Sequence, residues 1–156
     1  PTNQSPDKKH RPLSNAKHRY AMLRLLYKSN KKIDVTDYEL DKKEPAFTYD
    51  TINFFNSKYK NSDMTIVLGY DLIQTLFDWY KINEIKKKVR FLAFYRNDFD
   101  KNNYQDFNIR FIEDFNNPVS SSEIRKLLKN NQFEMVRLML STLIYDYIIK
   151  EELYKC

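Results

Sequence analysis

The stretch "PVSSSEIRKLL", residues 118–128, concentrates groups that could do chemistry. Ser120 and Glu123 satisfy the S-x-x-E capping box, in which a serine oxygen and a glutamate satisfy amides at a helix start. Such a start is also an anion site, because its amides and the helix dipole face outward. Ser121, Ser122 and Arg125 add hydroxyl and guanidinium donors suited to phosphate. Capping boxes are common, so the same residues also read as an ordinary helix start. A second short stretch, "MTIVLGYD", holds Gly69, the single glycine of the chain. A glycine after an apolar run either admits a turn with positive φ or lets backbone approach a ligand closely, and on spacing alone the turn is the plainer reading. "FDWYKINEI" contains Trp79, the single tryptophan, beside Tyr80. Helical spacing makes it a core residue first, although a flat ring near a strand end can stack on a heterocycle. "SPDKKHR" is a short basic loop whose Lys8 or Lys9 could reach a phosphate. His10 and His18 are too few and too uninformatively placed for a metal site or a triad. No Walker A, GxGxxG, G-x-S-x-G or HExxH pattern occurs.

These residues need elements to hold them. Ala16, Tyr20, Leu23 and Tyr27 recur at helical spacing after a Ser/Asn cap and predict a helix from about Asn15 to Lys28. Ile33 and Val35 alternate with polar neighbours, as in a short strand or extended segment. Tyr49, Ile52, Phe55 and Tyr59 return to the helical period. "MTIVLG" and "VRFLAFYR" read as strands covered on both faces. Between them "DLIQTLFDWY" reads as a short helix capped by Asp71. Residues 97–108 are polar and aperiodic and read as a mobile loop, "IRFIED" as another strand. Residues 121–130 and 132–152 are helical by pattern. Helices alternating with short buried strands, with no repeat and no linker, predict one domain over 1–156 built as an α/β fold with an open sheet, where ligands sit beyond the carboxyl ends of the strands.

Composition narrows the classes. With 42% hydrophobic and 15% aromatic residues in 156, the chain has the apolar material for a core, despite 31% charged residues. The net charge of +6 invites nucleic acid, but the lysines are dispersed among 21 acids, which favours solvated helix faces over a binding patch. One cysteine, Cys156, excludes an internal disulfide framework and suits a reducing, cytoplasmic compartment. No apolar run reaches a membrane span, and no signal peptide opens the sequence. The expected partners are small molecules, neither nucleic acid nor membrane, and a homo-oligomer stays open.

The order of the motifs is more specific than any one of them. The succession "SPDKK", "HRYAMLRLL", "PAFTYDTI", "VLGYDL", "WYKINEI", "FLAFYRN", "VSSSEIR" and "YDYIIKEELY" resembles bacterial nicotinate-nucleotide adenylyltransferases from end to end. In that family the matching stretches are a Pro-x-Lys loop, a Ser-Tyr-Thr-x-Asp-Thr helix start, Gly-x-Asp and a Trp followed by an aromatic. An Arg after a strand, Ile-Ser-Ser-Thr-x-Ile-Arg and a closing Tyr-Ile-x-x-x-x-Leu-Tyr complete the set. Thr-Tyr-Asp-Thr at 48–51 and the Trp-aromatic pair discriminate most, since related enzymes acting on pantetheine phosphate share the serine motif but not those.

The resemblance implies a Rossmann-like, mainly parallel sheet of the nucleotidyltransferase type with a helical C-terminus. It implies adenylyl transfer from ATP to nicotinate mononucleotide in NAD biosynthesis, with Mg2+ carried on the substrate. It places Gly69 and Asp71 at the nucleotide ribose and Trp79 on the nicotinate ring. Amides near Thr48 and Tyr80 hold the carboxylate, beside Phe47, which stands where the family usually has tyrosine. Ser120, Ser121, Ser122 and Arg125 bind ATP phosphates, Ser122 in place of a usual threonine, and Lys8 and Arg96 line the same cleft. The family's opening strand, Gly-x-Phe-x-Pro-x-His-x-Gly-His loop, helix and second strand have no counterpart in these residues. The chain is therefore expected to be N-terminally incomplete, with no catalytic residue of its own. The alternatives are an enzyme for pantetheine phosphate or the nicotinamide nucleotide, or a catalytically dead nucleotide-binding fragment.

Overall fold

The computed structural model describes residues 1–2, 14–42, 45–94, 100–112 and 119–154. In chain order its elements are α1 (Ala16–Tyr27), α2 (Thr48–Lys58), β1 (Thr65–Leu68), α3 (Tyr70–Gln74), a 3₁₀ turn (Leu76–Asp78), α4 (Ile82–Lys88) and β2 (Arg90–Phe94). A second 3₁₀ turn (Lys101–Tyr104), β3 (Ile109–Ile112), α5 (Ser121–Lys129), α6 (Phe133–Met139) and α7 (Thr142–Lys150) follow. They pack as two compact units, residues 47–117 and residues 1–46 with 118–156.

In the first unit β1, β2 and β3 form a parallel sheet in that order, with Leu68 opposite Ala93 and Ala93 opposite Phe111. β2 is central and its Phe91 and Ala93 are buried, as an apolar run predicts. β1 departs from that expectation. Leu68 is 1% exposed, but Val67 is 60% exposed, so only one face of this strand is covered among the described residues. Ile73, Leu76 and Ile85 pack on the sheet with Ile52. The polar stretch before β3 is not a free loop where it is described. Tyr104 and Phe107 are buried in this core, and the Tyr104 hydroxyl donates to the Ile73 carbonyl at 3.1 Å. Residues 97–99 of that stretch lie outside the described residues.

Burial holds the Tyr104 phenol above its ordinary pKa. The neutral form is thus favoured in the native state, and that stabilisation is fully present below the unfolded value, about 10. It is lost as pH rises through the higher native value. Tyr104→Phe is expected to cost about 1 kcal/mol at neutral pH through the lost hydrogen bond. The same variant should flatten the alkaline loss of stability, as denaturant unfolding at neutral and alkaline pH would read.

In the second unit α1 starts where Asn15 Oδ1 accepts from the Lys17 amide at 3.0 Å, as its cap sequence predicts. Residues 33–35 form no strand. The long C-terminal helical pattern breaks into α6 and α7, because Leu140 and Ser141 both adopt extended backbone. Leu128, Val136 and Ile148 form the core, with Met22 and Ile144 packed against them. The Tyr154 hydroxyl donates to the buried Ser14 hydroxyl at 2.8 Å. No described helix is long and apolar enough to cross a membrane.

Candidate functional site

Gly69 follows β1 directly and is the N-cap of α3, with φ −83° and ψ 167°. This is backbone that any residue adopts, so the positive-φ turn expected from spacing is overturned. A Cβ built on Gly69 meets nothing within 4 Å among the described residues, so the chain's own packing does not require glycine either. The predicted Asp71 cap is likewise replaced. Asp71 lies in the first turn of α3, exposed at the carboxyl end of the parallel sheet. A small residue and a carboxylate at that edge leave room and acceptors for sugar hydroxyls.

The same unit gathers an aromatic group. Phe47 and Tyr80 have ring centroids 4.8 Å apart, and Tyr49 meets Tyr80 edge-on at 6.0 Å. Phe47 is the N-cap of α2, which has no side-chain cap. The first amides of a helix have no partner inside it, so those of Thr48 and Tyr49 stand beside these rings as donors. Trp79 is half-buried against the core of Ile52, Leu76 and Phe91. Its indole Nε1 is buried with no hydrogen-bond partner among the described residues. Tyr80 is exposed.

Three neighbours of this group were not singled out by sequence reasoning. Tyr49 donates to Glu84 Oε2 at 2.8 Å, and Lys81 and Lys88 place their ammonium groups against the Tyr49 ring. Tyr49 stood within the discriminating Thr-Tyr-Asp-Thr at 48–51, and Glu84 and Lys88 share an i, i+4 relation on α4. Those were the signals available. Lys81 takes a left-handed backbone that nothing in its residue type announces.

The serine cluster belongs to the other unit. Ser120 Oγ accepts from the Glu123 amide at 3.1 Å, the serine half of the predicted capping box. Arg125 Nη2 donates to Ser122 Oγ at 3.1 Å, which draws guanidinium and hydroxyl together on the first turns of α5. Ser121 and Ser122 are exposed, and Arg125 is half-buried. Hydroxyls, a guanidinium and helix-start amides are donors for an anion. Lys8 and Arg96 lie outside the described residues. No group of three or more His, Cys, Asp or Glu that could hold a metal occurs among the described residues.

A family model described as cytidylyltransferase-like matches residues 1–127. A protein of Endomicrobium trichonymphae named probable nicotinate-nucleotide adenylyltransferase is 32% identical over 155 residues, covering 97% of this chain and 79% of the relative. One of the same name from Clostridium acetobutylicum is 28% identical, covering 99% and 81%. Among solved structures, the nicotinic acid mononucleotide adenylyltransferase of Plasmodium falciparum complexed with APC superposes with a TM-score of 0.73 at 26% identity. It covers 90% of this chain and 76% of that one. Its complex with NaAD gives a TM-score of 0.73 at 25% identity, covering 94% and 78%. The expected mixed α/β fold with a parallel sheet and a helical C-terminus is therefore the fold of these enzymes. The chain belongs to the cytidylyltransferase-like family and, within it, to the nicotinate-nucleotide adenylyltransferases.

Proposed function

We propose that these residues bind and orient ATP and nicotinate mononucleotide for adenylyl transfer, which yields nicotinate adenine dinucleotide and pyrophosphate in NAD biosynthesis. The observation that carries the reading of the site is Gly69. Neither its backbone angles nor the described residues around it call for glycine, and it stands where an open parallel sheet offers its ligands space. Gly69 lets the backbone approach the nucleotide, and Asp71 accepts from the ribose hydroxyls. Trp79 stacks on the pyridine ring, Phe47 and Tyr80 flank it, and the amides at Thr48 and Tyr80 donate to its carboxylate.

Ser120, Ser121, Ser122 and Arg125, with Lys8 and Arg96, hold the phosphates of ATP. A phosphate oxygen of nicotinate mononucleotide attacks the α-phosphorus in line. The bond from that phosphorus to its bridging oxygen breaks, and pyrophosphate leaves. Such a transfer needs little covalent chemistry from protein, so positioning two anions and neutralising developing charge supply most of the acceleration. Magnesium enters on the triphosphate as part of the substrate, held mostly by phosphate oxygens and water. A single cysteine supports a cytoplasmic setting.

Trp79 is the single tryptophan, so its fluorescence reports on the pyridine subsite. Nicotinate mononucleotide should quench it saturably. Binding detected by calorimetry with no change in that fluorescence would contradict the stacking role.

A further inference from the structure

The Phe47, Tyr49 and Tyr80 rings are bordered by charge that the proposed reaction has not yet used. Lys81 Nζ lies 4.5 Å from the Tyr49 ring centroid and 5.4 Å from that of Tyr80. Lys88 Nζ lies 5.1 Å from the Tyr49 centroid and donates to Asn53 Oδ1 at 2.6 Å. Glu84, which accepts from Tyr49, is the carboxylate of the group. Two ammonium groups and one carboxylate leave a positive balance beside the rings. Among the described residues Lys81 is in no ion pair. Its φ of 56° and ψ of 38° are disfavoured for any residue with a Cβ, and the chain adopts them directly after Trp79-Tyr80.

We infer that Lys81 is a specificity-determining residue, whose ammonium favours a pyridine ring bearing a carboxylate over the same ring bearing a carboxamide. This rests on the reading that Trp79, Tyr80 and Thr48 hold the pyridine. The two ligands have nearly the same shape, and both offer oxygen to backbone amides. Amides alone therefore discriminate weakly, whereas a fixed cation acts on the carboxylate's full charge and on no charge in the carboxamide. Burial would lower the Lys81 pKa, but Tyr49, Tyr80 and Glu84 outweigh it and hold the group above the ordinary lysine value. The cation is therefore constant through neutral pH, and the preference does not titrate there. Lys81 is exposed, so its effect is screened by salt.

The test is calorimetric binding of nicotinate mononucleotide and nicotinamide mononucleotide to the chain and to Lys81→Met, Lys81→Arg and Trp79→Ala. Lys81→Met is expected to weaken the nicotinate ligand by roughly tenfold and the nicotinamide ligand by no more than about twofold. Lys81→Arg keeps the charge and should restore most of the preference. In the unsubstituted chain the preference should shrink as salt rises from about 0.05 to about 0.5 M, a measurement that needs no variant. Equal affinities in the unsubstituted chain, equal losses for both ligands in Lys81→Met, or a salt-independent preference would each overturn the role of Lys81 while leaving the site in place. Unchanged binding of both ligands by Trp79→Ala would overturn the site itself.

Discussion

Gly69→Val should fold with a stability loss of no more than about 1 kcal/mol and yet, in the full-length protein, lower kcat/KM for ATP by about a hundredfold. The small stability effect follows from φ −83° and from the open space that a Cβ would enter. The residual loss reflects the N-cap position, where valine is poorer than glycine. Capping alone does not explain the glycine. A polar cap at residue 69, of the kind that Asn15 and Ser120 supply to α1 and α5, would stabilise α3 better. The activity effect follows from branched carbon atoms in the space assigned to the nucleotide, since a displacement of about 1 Å at a reacting group costs about a hundredfold. Thermal unfolding and steady-state kinetics on one preparation separate the two effects. A large stability loss with unchanged kinetics would return Gly69 to a structural role.

Trp79→Ala has two separable consequences. The indole packs against the core cluster that includes Ile52, Leu76 and Phe91, and a partly buried aromatic removed from such a place costs about 2–3 kcal/mol. Stacking of a heterocycle on an aromatic ring is worth about 1–3 kcal/mol, so binding of nicotinate mononucleotide should weaken by about ten- to a hundredfold. Trp79→Phe distinguishes ring from N–H. The buried Nε1 has no partner among the described residues, so phenylalanine removes an unsatisfied donor and should leave stability within about 1 kcal/mol. It should also keep most of the stacking. Chemical denaturation and calorimetry read the two quantities, and a Trp79→Ala chain that binds nicotinate mononucleotide normally would place Trp79 in the core alone.

Elements with their own local signal were legible. α1 and α5 carry polar caps and a helical period, β2 is an apolar run in a central strand, and all three appear close to the residues their patterns indicate. β1 was legible as a strand but not in its burial, because an apolar run does not say which side of a strand has a neighbour, and Val67 is exposed. Tyr104 and Phe107 were hidden because they stand alone in a polar window and reach the core without periodicity, Tyr104 from the end of a 3₁₀ turn and Phe107 from the bend after it. The break at Leu140-Ser141 carries neither glycine nor proline, so the sequence had no mark for it. At the site, the rings of Phe47 and Tyr80, distant in sequence, are in contact, which no local pattern encodes. Lys81 escaped because its place over two rings depends on a left-handed backbone that residue type does not encode. The sign of φ at Gly69 was invisible for the same reason, since glycine permits either.

The central claim is that the full-length protein joins ATP to nicotinate mononucleotide, and pyrophosphate release is its most direct measure. Release should be fastest with nicotinate mononucleotide, slower with nicotinamide mononucleotide, and negligible with pantetheine phosphate. Release that is fastest with pantetheine phosphate, or a chain that binds neither ATP nor nicotinate mononucleotide, would contradict the account.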